Sequence, residues 1–352
     1  MDQLVRMIKK LIIRTDSSVT IGTGHVMRMI ALAQAWKKRD GQVTFACAEI
    51  TPSLEERIVK EGFELKQIEA EPGTLKDLNK TCAMISALQD TKNCLVALDG
   101  YRFDSDFQLR LNKSGYRLMV MDDYGHAEFY HTDWLLNQNI SAREDLYPNR
   151  SPETKLLLGT QYALLREDFL KYRGWKRKNP EVAKKILVTL GGSDPDNVTQ
   201  EVIEALKDLD IEAKILVGGS NPHIECLRNI VEQNKQCKDS IELIVNASNM
   251  PELMAWSDMA VAAGGSTAWE LSFMGVPSVF LVLADNQRDI SLALERGQMG
   301  LSFDVGKEDM EIQLPNLIRM LISDQSLRKQ FSANAAKAVD GFGAERVCDL
   351  LS

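Results

Sequence analysis

Short runs of aliphatic and β-branched residues recur along this chain, separated by segments whose apolar residues fall at helical spacing. Alternation of this kind is typical of βαβ units on parallel sheets. The pattern restarts near residue 185, so we expect two doubly wound α/β domains. The predicted strands are 11–16, 43–48, 95–99, 117–122 and 134–137 in the first half, and 185–190, 213–219, 241–245, 259–265 and 278–283 in the second.

The segment 165–185 separates the two halves. It is charged, contains Gly174 and Pro180, and has no sustained apolar periodicity, which is typical of a domain boundary. Ligands of doubly wound sheets bind at the carboxyl ends of the strands, so we expect the two domains to face each other across a ligand cleft. The predicted units are an N-terminal Rossmann-like domain at 1–165, a C-terminal Rossmann-like domain at 166–335, and a C-terminal helix at 336–352 that packs back across the domains.

Composition narrows the classes of function. The 352 residues are 44% hydrophobic and 26% charged, as in ordinary globular proteins, and the net charge of −8 argues against a nucleic-acid partner. No apolar run approaches the roughly 20 residues of a membrane span, and residues 1–10 form an extension without a signal-peptide core. We therefore expect a cytoplasmic protein. Its scattered cysteines lack a C-x-x-C pair and are expected to be reduced core thiols: Cys47, Cys82, Cys94, Cys226, Cys237 and Cys348.

The sequence IGTGHVMR at 21–28 lies where the first strand turns into a helix. The helix is expected to begin near Gly24, so that its free N–H groups point at an anion in the turn. A phosphate loop needs only glycines, so the imidazole of His25 indicates chemistry on the ligand. The positive end of a helix disfavours imidazolium, so His25 is expected to be neutral and able to accept a proton. The alternative is that His25 only caps the turn.

A dinucleotide-binding loop is a second interpretation of the same turn. It would need a third glycine where Met27 stands, although Glu49, at the end of the second strand, is positioned like the ribose-binding acid of such folds. Met27 disfavours this interpretation, as does a second nucleotide-like turn in the other half of the chain.

The second turn lies within 260–287. A buried strand is expected to end in Gly264 and Gly265, and Ser266 and Thr267 can cap the next helix. The free N–H groups of that helix suit a diphosphate. Glu270, in its first turn, can accept hydrogen bonds from ribose hydroxyls or simply offset the helix dipole.

The order of glycine turn, helical glutamate, GVP, apolar strand and DNQ resembles the nucleotide-sugar site of GT-B proteins, notably the MurG-like N-acetylglucosaminyltransferases. That resemblance implies that Glu270 holds the ribose, and that Asn286 and Gln287 face the sugar.

Seven motifs in order, from about Ile12 to about Arg288, further resemble the UDP-sugar hydrolases of the pseudaminic acid pathway, which are MurG-related GT-B enzymes. That family releases UDP from a UDP-activated 2,4-diacetamido-2,4,6-trideoxyhexose by water attack at the anomeric carbon. The configuration inverts, and no metal or other cofactor takes part. The motifs lie at 14–36, 98–101, 119–126, 135–139, 156–169, 188–199 and 262–287.

The resemblance implies that His25 activates or orients the attacking water. It also implies that Gly22, Thr23 and Gly24 bring the backbone close to the diphosphate and the sugar. UDP is already a good leaving group, so the reaction needs a placed water and a base more than a strong acid.

Further polar residues are expected to bind substrate. Adjacent side chains point opposite ways in a strand, so at most one of Asp122 and Asp123 should face the cleft, and we favour Asp123. Asp99 ends another strand, and the family resemblance favours a role for it together with Tyr101. The remaining substrate-binding candidates are Arg14 and Asp16 beside the first loop, Tyr101 after the third predicted strand, and Ser193 in the turn that opens the second domain.

Two departures from that family's pattern leave the exact sugar open. Where many relatives have a short basic stretch, this chain has DDYGHAEFYHTD, whose Tyr124, His126 and His131 are expected to touch substituents of the sugar. The chain is also longer than compact members, so its C-terminal part is expected to fold back over the domains. His223 is interpreted as a solvated loop residue.

Two other functions remain open at this point. A GT-B glycosyltransferase would have the same UDP half-site, and a nucleotide-sugar-binding module would bind UDP without turnover. A small-molecule UDP-sugar is the expected partner, with no nucleic acid or membrane. We expect a monomer, because no heptad or long exposed apolar edge calls for a second copy.

Overall fold

The computed structural model describes residues 8–88, 94–219, 221–233, 240–307 and 309–351. The chain divides into two compact units, one formed by Met1–Glu167 with Phe342–Ser352 and the other by Asp168–Gly341. The first division falls two residues after the boundary expected from sequence. The last segment belongs to the first unit from Phe342, whereas a separate helix from 336 was expected.

The first unit contains a sheet of seven parallel strands in the order β3-β2-β1-β4-β5-β6-β7. The order in which the chain adds strands to the sheet reverses between β1 and β4. These two strands are neighbours, and they pair from Lys10 opposite Cys94 to Thr15 opposite Asp99. The strands are β1 (Lys10–Thr15), β2 (Gln42–Cys47), β3 (Glu64–Gln67), β4 (Cys94–Asp99), β5 (Arg117–Met121), β6 (Trp134–Asn137) and β7 (Lys155–Leu158).

Helices connect these strands and cover both faces of the sheet. The helix after β1 buries the apolar stripe expected from its spacing, with Val26, Met29, Ile30, Ala33 and Trp36 all at most 2% exposed. These residues form one core with β1, β2 and β4. The helices are α1 (Gly24–Lys37), α2 (Pro52–Lys60), α3 (Leu75–Ser86) and α4 (Ser105–Lys113).

The second unit contains a sheet of six parallel strands in the order β10-β9-β8-β11-β12-β13, with the reversal between β8 and β11. The prediction of two doubly wound parallel-sheet domains is therefore confirmed. The strands are β8 (Lys185–Thr189), β9 (Glu212–Val217), β10 (Ile241–Val245), β11 (Met259–Ala263), β12 (Ser278–Val282) and β13 (Gly300–Asp304).

A short helix, α5 (Glu167–Leu170), lies where the first division falls. The helices that follow are α6 (Val198–Leu206), α7 (Ile224–Gln233), α8 (Met250–Trp256), α9 (Thr267–Phe273), α10 (Asp285–Arg296), α11 (Met310–Ser323) and α12 (Gln325–Ala338). In the described part of the chain, no helix combines the length and the apolar character that crossing a membrane requires.

The last helix, α13 (Gly343–Leu351), packs against α1 and against the short helical turn Thr160–Tyr162. Its contact is close, because a Cβ on Gly343 would lie 2.2 Å from the carbonyl oxygen of Ala163. Val347, Cys348 and Leu351 join the same core as α1. The C-terminal segment thus completes the first unit.

The cysteines differ in burial. Cys47, Cys94 and Cys348 are buried and Cys82 is half-buried. Cys226 is exposed, so its expected place in the core is wrong: it lies on α7, whose buried residues are Leu227 and Val231. Cys237 and residues 1–7 of the expected extension lie outside the described residues.

Candidate active site

His25 and Asp99 meet at the carboxyl edge of the first sheet, where β1 and β4 are neighbours. His25 is the second residue of α1, and Asp99 is the last residue of β4. Nδ1 of His25 lies 2.7 Å from Oδ1 of Asp99. The Asp99 carboxylate is fully buried, whereas the His25 side chain is 11% exposed. The imidazole is therefore anchored on one side and open to a ligand on the other.

The partner of Nδ1 fixes the tautomer of the His25 ring. Burial acts to raise the pKa of Asp99, but the charges of Arg28 and His25 and their hydrogen bonds outweigh it, so the pKa is lowered. An ionised carboxylate can only accept, so Nδ1 carries the proton and donates it to Asp99. Nε2 is then the basic nitrogen, and it makes no hydrogen bond to any residue that the structure describes. The arrangement is that of a general base held by a carboxylate.

Arg28 contacts both Asp99 and Asp123 and was not predicted from the sequence. Its Nε and Nη2 donate to Asp99 at 2.7 and 2.6 Å, and its Nη1 donates to Asp123 at 2.8 Å. Burial works against the charge of Arg28, but the two carboxylates raise its pKa well above the ordinary value. Its position three residues after His25 puts both on one helix face, which was the available signal.

Asp123 and Tyr101 complete a closed set of contacts around His25. The hydroxyl of Tyr101 donates to Oδ2 of Asp123 at 2.6 Å, and Asn139 donates to Oδ1 at 2.9 Å. The Tyr101 ring meets the His25 ring nearly at right angles, with centroids 5.0 Å apart. We call His25, Arg28, Asp99, Tyr101 and Asp123 the His25 network.

Asp123, which is expected from sequence to bind substrate, contacts several protein groups. Both of its oxygens accept hydrogen bonds from protein, and its side chain is only 9% exposed. Burial raises the pKa of Asp123, but Arg28 lowers it further, so the group is held as a carboxylate. Asp123 therefore orients Arg28 and Tyr101.

Asp122 organises the loop after β5. Its carboxylate is fully buried and accepts from the backbone N–H groups of Tyr124 and Gly125 at 2.7 and 2.6 Å. It also accepts from Nδ1 of His126 and from the hydroxyls of Tyr130 and Tyr147. The two adjacent aspartates thus have separate tasks, since Asp122 faces the interior of its own loop.

His126 is the ionic partner of Asp122. Burial acts to lower the pKa of His126, but its hydrogen bond to Asp122 and the charge of that carboxylate raise it overall. Asp122 shows the reciprocal effect: burial raises its pKa, yet His126 lowers it further. The pair stabilises the loop that presents Tyr124.

Aromatic rings extend from the His25 network toward solvent. Tyr124 is 42% exposed, and its ring lies 5.0 Å from that of Tyr101. His126 also meets Tyr101 edge-on at 5.6 Å. His131 does not belong to this group, because it precedes β6 and so lies at the amino edge of the sheet, against Phe129. The expectation that His131 touches the sugar is therefore wrong.

Arg14 and Asp16 are scaffold residues, which corrects their expected role in binding substrate. The Arg14 side chain is fully buried and forms a bidentate pair with Asp77 at 3.0 and 2.7 Å. Oδ1 of Asp16 accepts from Arg14 and from the backbone N–H groups of Ala48 and Glu49. These contacts tie the loop after β1 to the end of β2.

The glycine turn before α1 has the expected form. Gly22 has a φ of 79°, which glycine adopts without strain, and its N–H donates to the carbonyl oxygen of Ser18 at 2.9 Å. The first intrahelical bond runs from Met27 N–H to the carbonyl oxygen of Thr23. The N–H groups of Gly24 and His25 therefore precede the helical ladder and point out of its N-terminus.

The second unit brings its candidates to the corresponding edge. The loop with Ser193 follows β8, and the turn Gly264–Ser266 follows the neighbouring β11. Ser193 is half-buried. Asp194 accepts from the N–H groups of Val198 and Thr199 at 2.9 Å each, so it caps α6, which begins three residues later than Pro195.

The turn after β11 is tightly built. A Cβ on Gly264 would lie 2.1 Å from Oγ of Ser291, so that side chain would have to move to admit any other residue, while Gly265 borders open space. The helix α9 begins at Thr267, but the side chain of Ser266 does not cap it, contrary to expectation. Within its first turn, the N–H groups of Ala268 and Trp269 donate to the carbonyl oxygens of Gly265 and Ser266 at 2.9 and 3.1 Å.

Glu270, Asn286 and Gln287 lie on the helices that follow β11 and β12. Glu270 is half-buried in the first turn of α9, and Asn286 is exposed at the start of α10. Oε1 of Gln287 accepts from the N–H of Leu283 at 3.1 Å, so its carbonyl oxygen is used to close its own turn. The strands are adjacent, so these residues share one sheet edge with Gly264 and Gly265.

The fold class is shared with solved glycosyltransferases. MurG from Acinetobacter baumannii superposes with a TM-score of 0.64 at 17% identity, over 97% of this chain and 99% of that one. Anabaena Alr3699/HepE, solved in complex with UDP-glucose, superposes with a TM-score of 0.62 at 15% identity, over 97% and 98%. The chain therefore has the GT-B fold, as predicted.

Sequence similarity narrows this class further. Residues 186–340 match the glycosyltransferase family 28 C-terminal domain. The chain is 26% identical to the UDP-2,4-diacetamido-2,4,6-trideoxy-beta-L-altropyranose hydrolase of Campylobacter jejuni, over 73% of this chain and 85% of the relative. The resemblance to the UDP-sugar hydrolases of the pseudaminic acid pathway is thus confirmed.

Two further relatives have other names. The chain is 25% identical to the spore coat polysaccharide biosynthesis protein SpsG of Bacillus subtilis, over 96% of each chain. It is 27% identical to the MJ1062 protein of Methanocaldococcus jannaschii over 80% of its own length. That match spans only 57% of the archaeal protein.

Proposed function

We propose that this protein hydrolyses a UDP-activated 2,4-diacetamido-2,4,6-trideoxyhexose to UDP and the free sugar, in nonulosonic acid biosynthesis. The observation that carries the proposal is the pair of His25 and Asp99. A buried carboxylate holds Nδ1, and the basic Nε2 is left for a water molecule. Similarity to the Campylobacter hydrolase supports the choice of substrate.

The reaction is a single displacement. Nε2 of His25 takes a proton from water while the water oxygen forms a bond to the anomeric carbon. The bond from that carbon to the phosphate oxygen breaks, and its electron pair leaves with UDP. Attack opposite the leaving group inverts the anomeric configuration. Asp99 stabilises the imidazolium that forms, as a buried carboxylate does in catalytic triads.

Backbone N–H groups carry most of the proposed binding of the diphosphate. We assign UDP to the turn Gly264–Thr267, with Glu270 on the ribose, and the sugar to Asn286, Gln287 and Ser193. The turn with Gly22, Thr23 and Gly24 would approach the diphosphate and sugar through its outward N–H groups. Preorganised donors of this kind stabilise the charge that develops on the leaving phosphate.

Product analysis tests the proposal. The protein is incubated with the UDP-activated sugar and no acceptor, UDP release is followed, and the anomer first formed is identified by NMR. We expect UDP release, an inverted anomer, and one oxygen from labelled water in the sugar. No UDP release without an acceptor would refute hydrolysis.

Replacement of histidines separates catalysis from binding. His25→Ala should abolish turnover while UDP still binds, because UDP is assigned to the second unit. His131→Ala is the matched control, since that ring lies at the other edge of the sheet. A His25→Ala protein with the original rate would exclude the general-base role.

A glycosyltransferase is the second candidate, favoured by the family 28 match and by the glycosyltransferases that share the fold. It predicts that UDP release needs a sugar or lipid acceptor. The same assay with and without acceptors distinguishes the two functions, because the hydrolase is active with water alone.

A further inference from the structure

The charges around His25 do not cancel. Asp99 and Asp123 each contribute −1 and Arg28 contributes +1, so the His25 network carries −1 when the imidazole is neutral. It carries no net charge when the imidazole is protonated. The side chains of these three partners are between 0 and 9% exposed, so solvent screens these charges weakly.

We propose that Arg28 and Asp123 are positioning residues that tune the proton affinity of His25 in opposite directions. The positive charge of Arg28 disfavours the protonated ring, and the negative charge of Asp123 favours it. The inference rests on the proposed function for its role in catalysis, but the tuning itself is a property of the substrate-free protein.

Contact with Arg28 is direct. Nη2 of Arg28 lies 3.1 Å from Nδ1 of His25 and 2.6 Å from Oδ1 of Asp99. The guanidinium therefore shares with the imidazole the same carboxylate oxygen and repels an imidazolium. Without Arg28, two buried carboxylates would face His25, and the ring would stay protonated to higher pH and would be lost as a base.

Asp123 acts on His25 through two other side chains. It pairs with Arg28 at 2.8 Å and accepts a hydrogen bond from the hydroxyl of Tyr101. The Tyr101 ring in turn contacts the His25 ring in an edge-on arrangement. Electrostatic coupling between His25 and Asp123 is also evident in the lowered pKa of Asp123, where burial opposes and Arg28 and His25 favour the charge.

Other groups near the His25 network do not change its net charge. From β4 and its loop come Asp99 and Tyr101, and from the loop after β5 come Asp123, Tyr124 and His126. His126 is already paired with Asp122, so its charge is balanced locally. The residues contributed from the end of β6 and the loop after it, Asn137 and Asn139, are neutral.

NMR titration of the substrate-free protein tests the proposal. The chain contains four histidines, so the ring signal of His25 can be assigned by its loss in His25→Gln. We expect Arg28→Gln to move the titration midpoint of His25 up by about one pH unit, and Asp123→Asn to move it down by a similar amount. The double variant should titrate near the original midpoint.

Activity should follow the same signs. The acid limb of kcat/KM reports protonation of the free enzyme's base, so it should move up in Arg28→Gln and down in Asp123→Asn. Arg28→Lys keeps the charge without the two-pronged contact, so it should restore the midpoint and leave kcat reduced. Arg110→Gln and Asp106→Asn, an exposed ion pair on α4, are the matched controls.

The titration results can overturn the proposed roles of Arg28 and Asp123. Shifts of the same sign, or no shift in Asp123→Asn, would overturn the proposal. If Arg28→Gln does not fold, the other two variants still test the proposal, because Asp123→Asn should lower the titration midpoint and Arg28→Lys should leave it unchanged. Absence of hydrolysis would refute the proposed function but not the titration result, so the two failures are distinguishable.

Discussion

Asp99→Asn is the sharpest test of the candidate active site, because it replaces a carboxylate by a neutral amide of almost the same volume. Asp99 accepts from Nδ1 of His25 and twice from Arg28. An amide has one accepting oxygen and one donating nitrogen, so one of these partners must face a donor. If the nitrogen faces His25, Nδ1 must accept, the ring proton moves to Nε2, and the base is lost.

The size of the effect follows from the geometry. Nδ1 and Oδ1 are 2.7 Å apart, which places the charge centres of imidazolium and carboxylate about 4 Å apart. At an effective dielectric constant of about 20, that pair is worth about 4 kcal/mol. A barrier raised by this amount slows the reaction about 1,000-fold. We therefore expect kcat/KM to fall by about three orders of magnitude.

The assay is initial-rate UDP release at pH values on both sides of neutrality, with UDP affinity measured separately. UDP affinity should be unchanged, since UDP is assigned to the second unit. Asp106→Asn, the same chemical change at an exposed site on α4, should retain the original rate. A decrease of less than tenfold in Asp99→Asn would show that the carboxylate is not the partner of a catalytic base.

Three further perturbations address stability and binding. His126→Gln should lower the free energy of unfolding most below pH about 6.5, because the pKa of His126 is raised in the folded protein. A raised pKa stabilises the folded protein at low pH, and this stabilisation is lost as pH rises through the folded pKa. Equal losses at pH 5 and 8.5 in chemical denaturation would contradict this. Arg14→Met leaves Asp77 buried without its partner, so it should cost about 3 to 5 kcal/mol of stability. KM of the folded protein should be unchanged. A raised KM would show that Arg14 does contribute to substrate binding. Glu270→Gln should weaken UDP binding about tenfold or more by calorimetry, as expected for hydrogen bonds to a charged group, whereas Glu311→Gln, in the first turn of α11, should not.

The central strands were predictable because they are buried on both faces and therefore form continuous apolar runs. The strands missed were β3, β7 and β13, which are all edge strands. The sequence of β3, ELKQ, is almost entirely exposed, so it shows no apolar run, and β13 mixes buried and half-buried positions. The edge strand β10 was nevertheless predicted, because its sequence IELIV keeps an aliphatic run.

The residues of the candidate active site were also only partly predictable from the sequence. His25 could be predicted because its turn and helix are local features. The partners of Arg28 lie 71 and 95 residues away along the chain, so its contacts emerge only when the sheet places β4 beside β1 and β5 beside β4. Arg14 illustrates the opposite error, since its nearness to the first loop in sequence suggested ligand binding, while its side chain turns to the buried Asp77, 63 residues away.

The packing of α13 against α1 has a consequence for the order of folding during synthesis. Residues 168–341 form one continuous stretch, so the second unit has all of its own chain before residues 342–351 leave the ribosome. The helix that carries His25 and Arg28 must wait for those last residues to cover its outer apolar side. The unit that carries the proposed base is thus the first to be synthesised and the last to be completed.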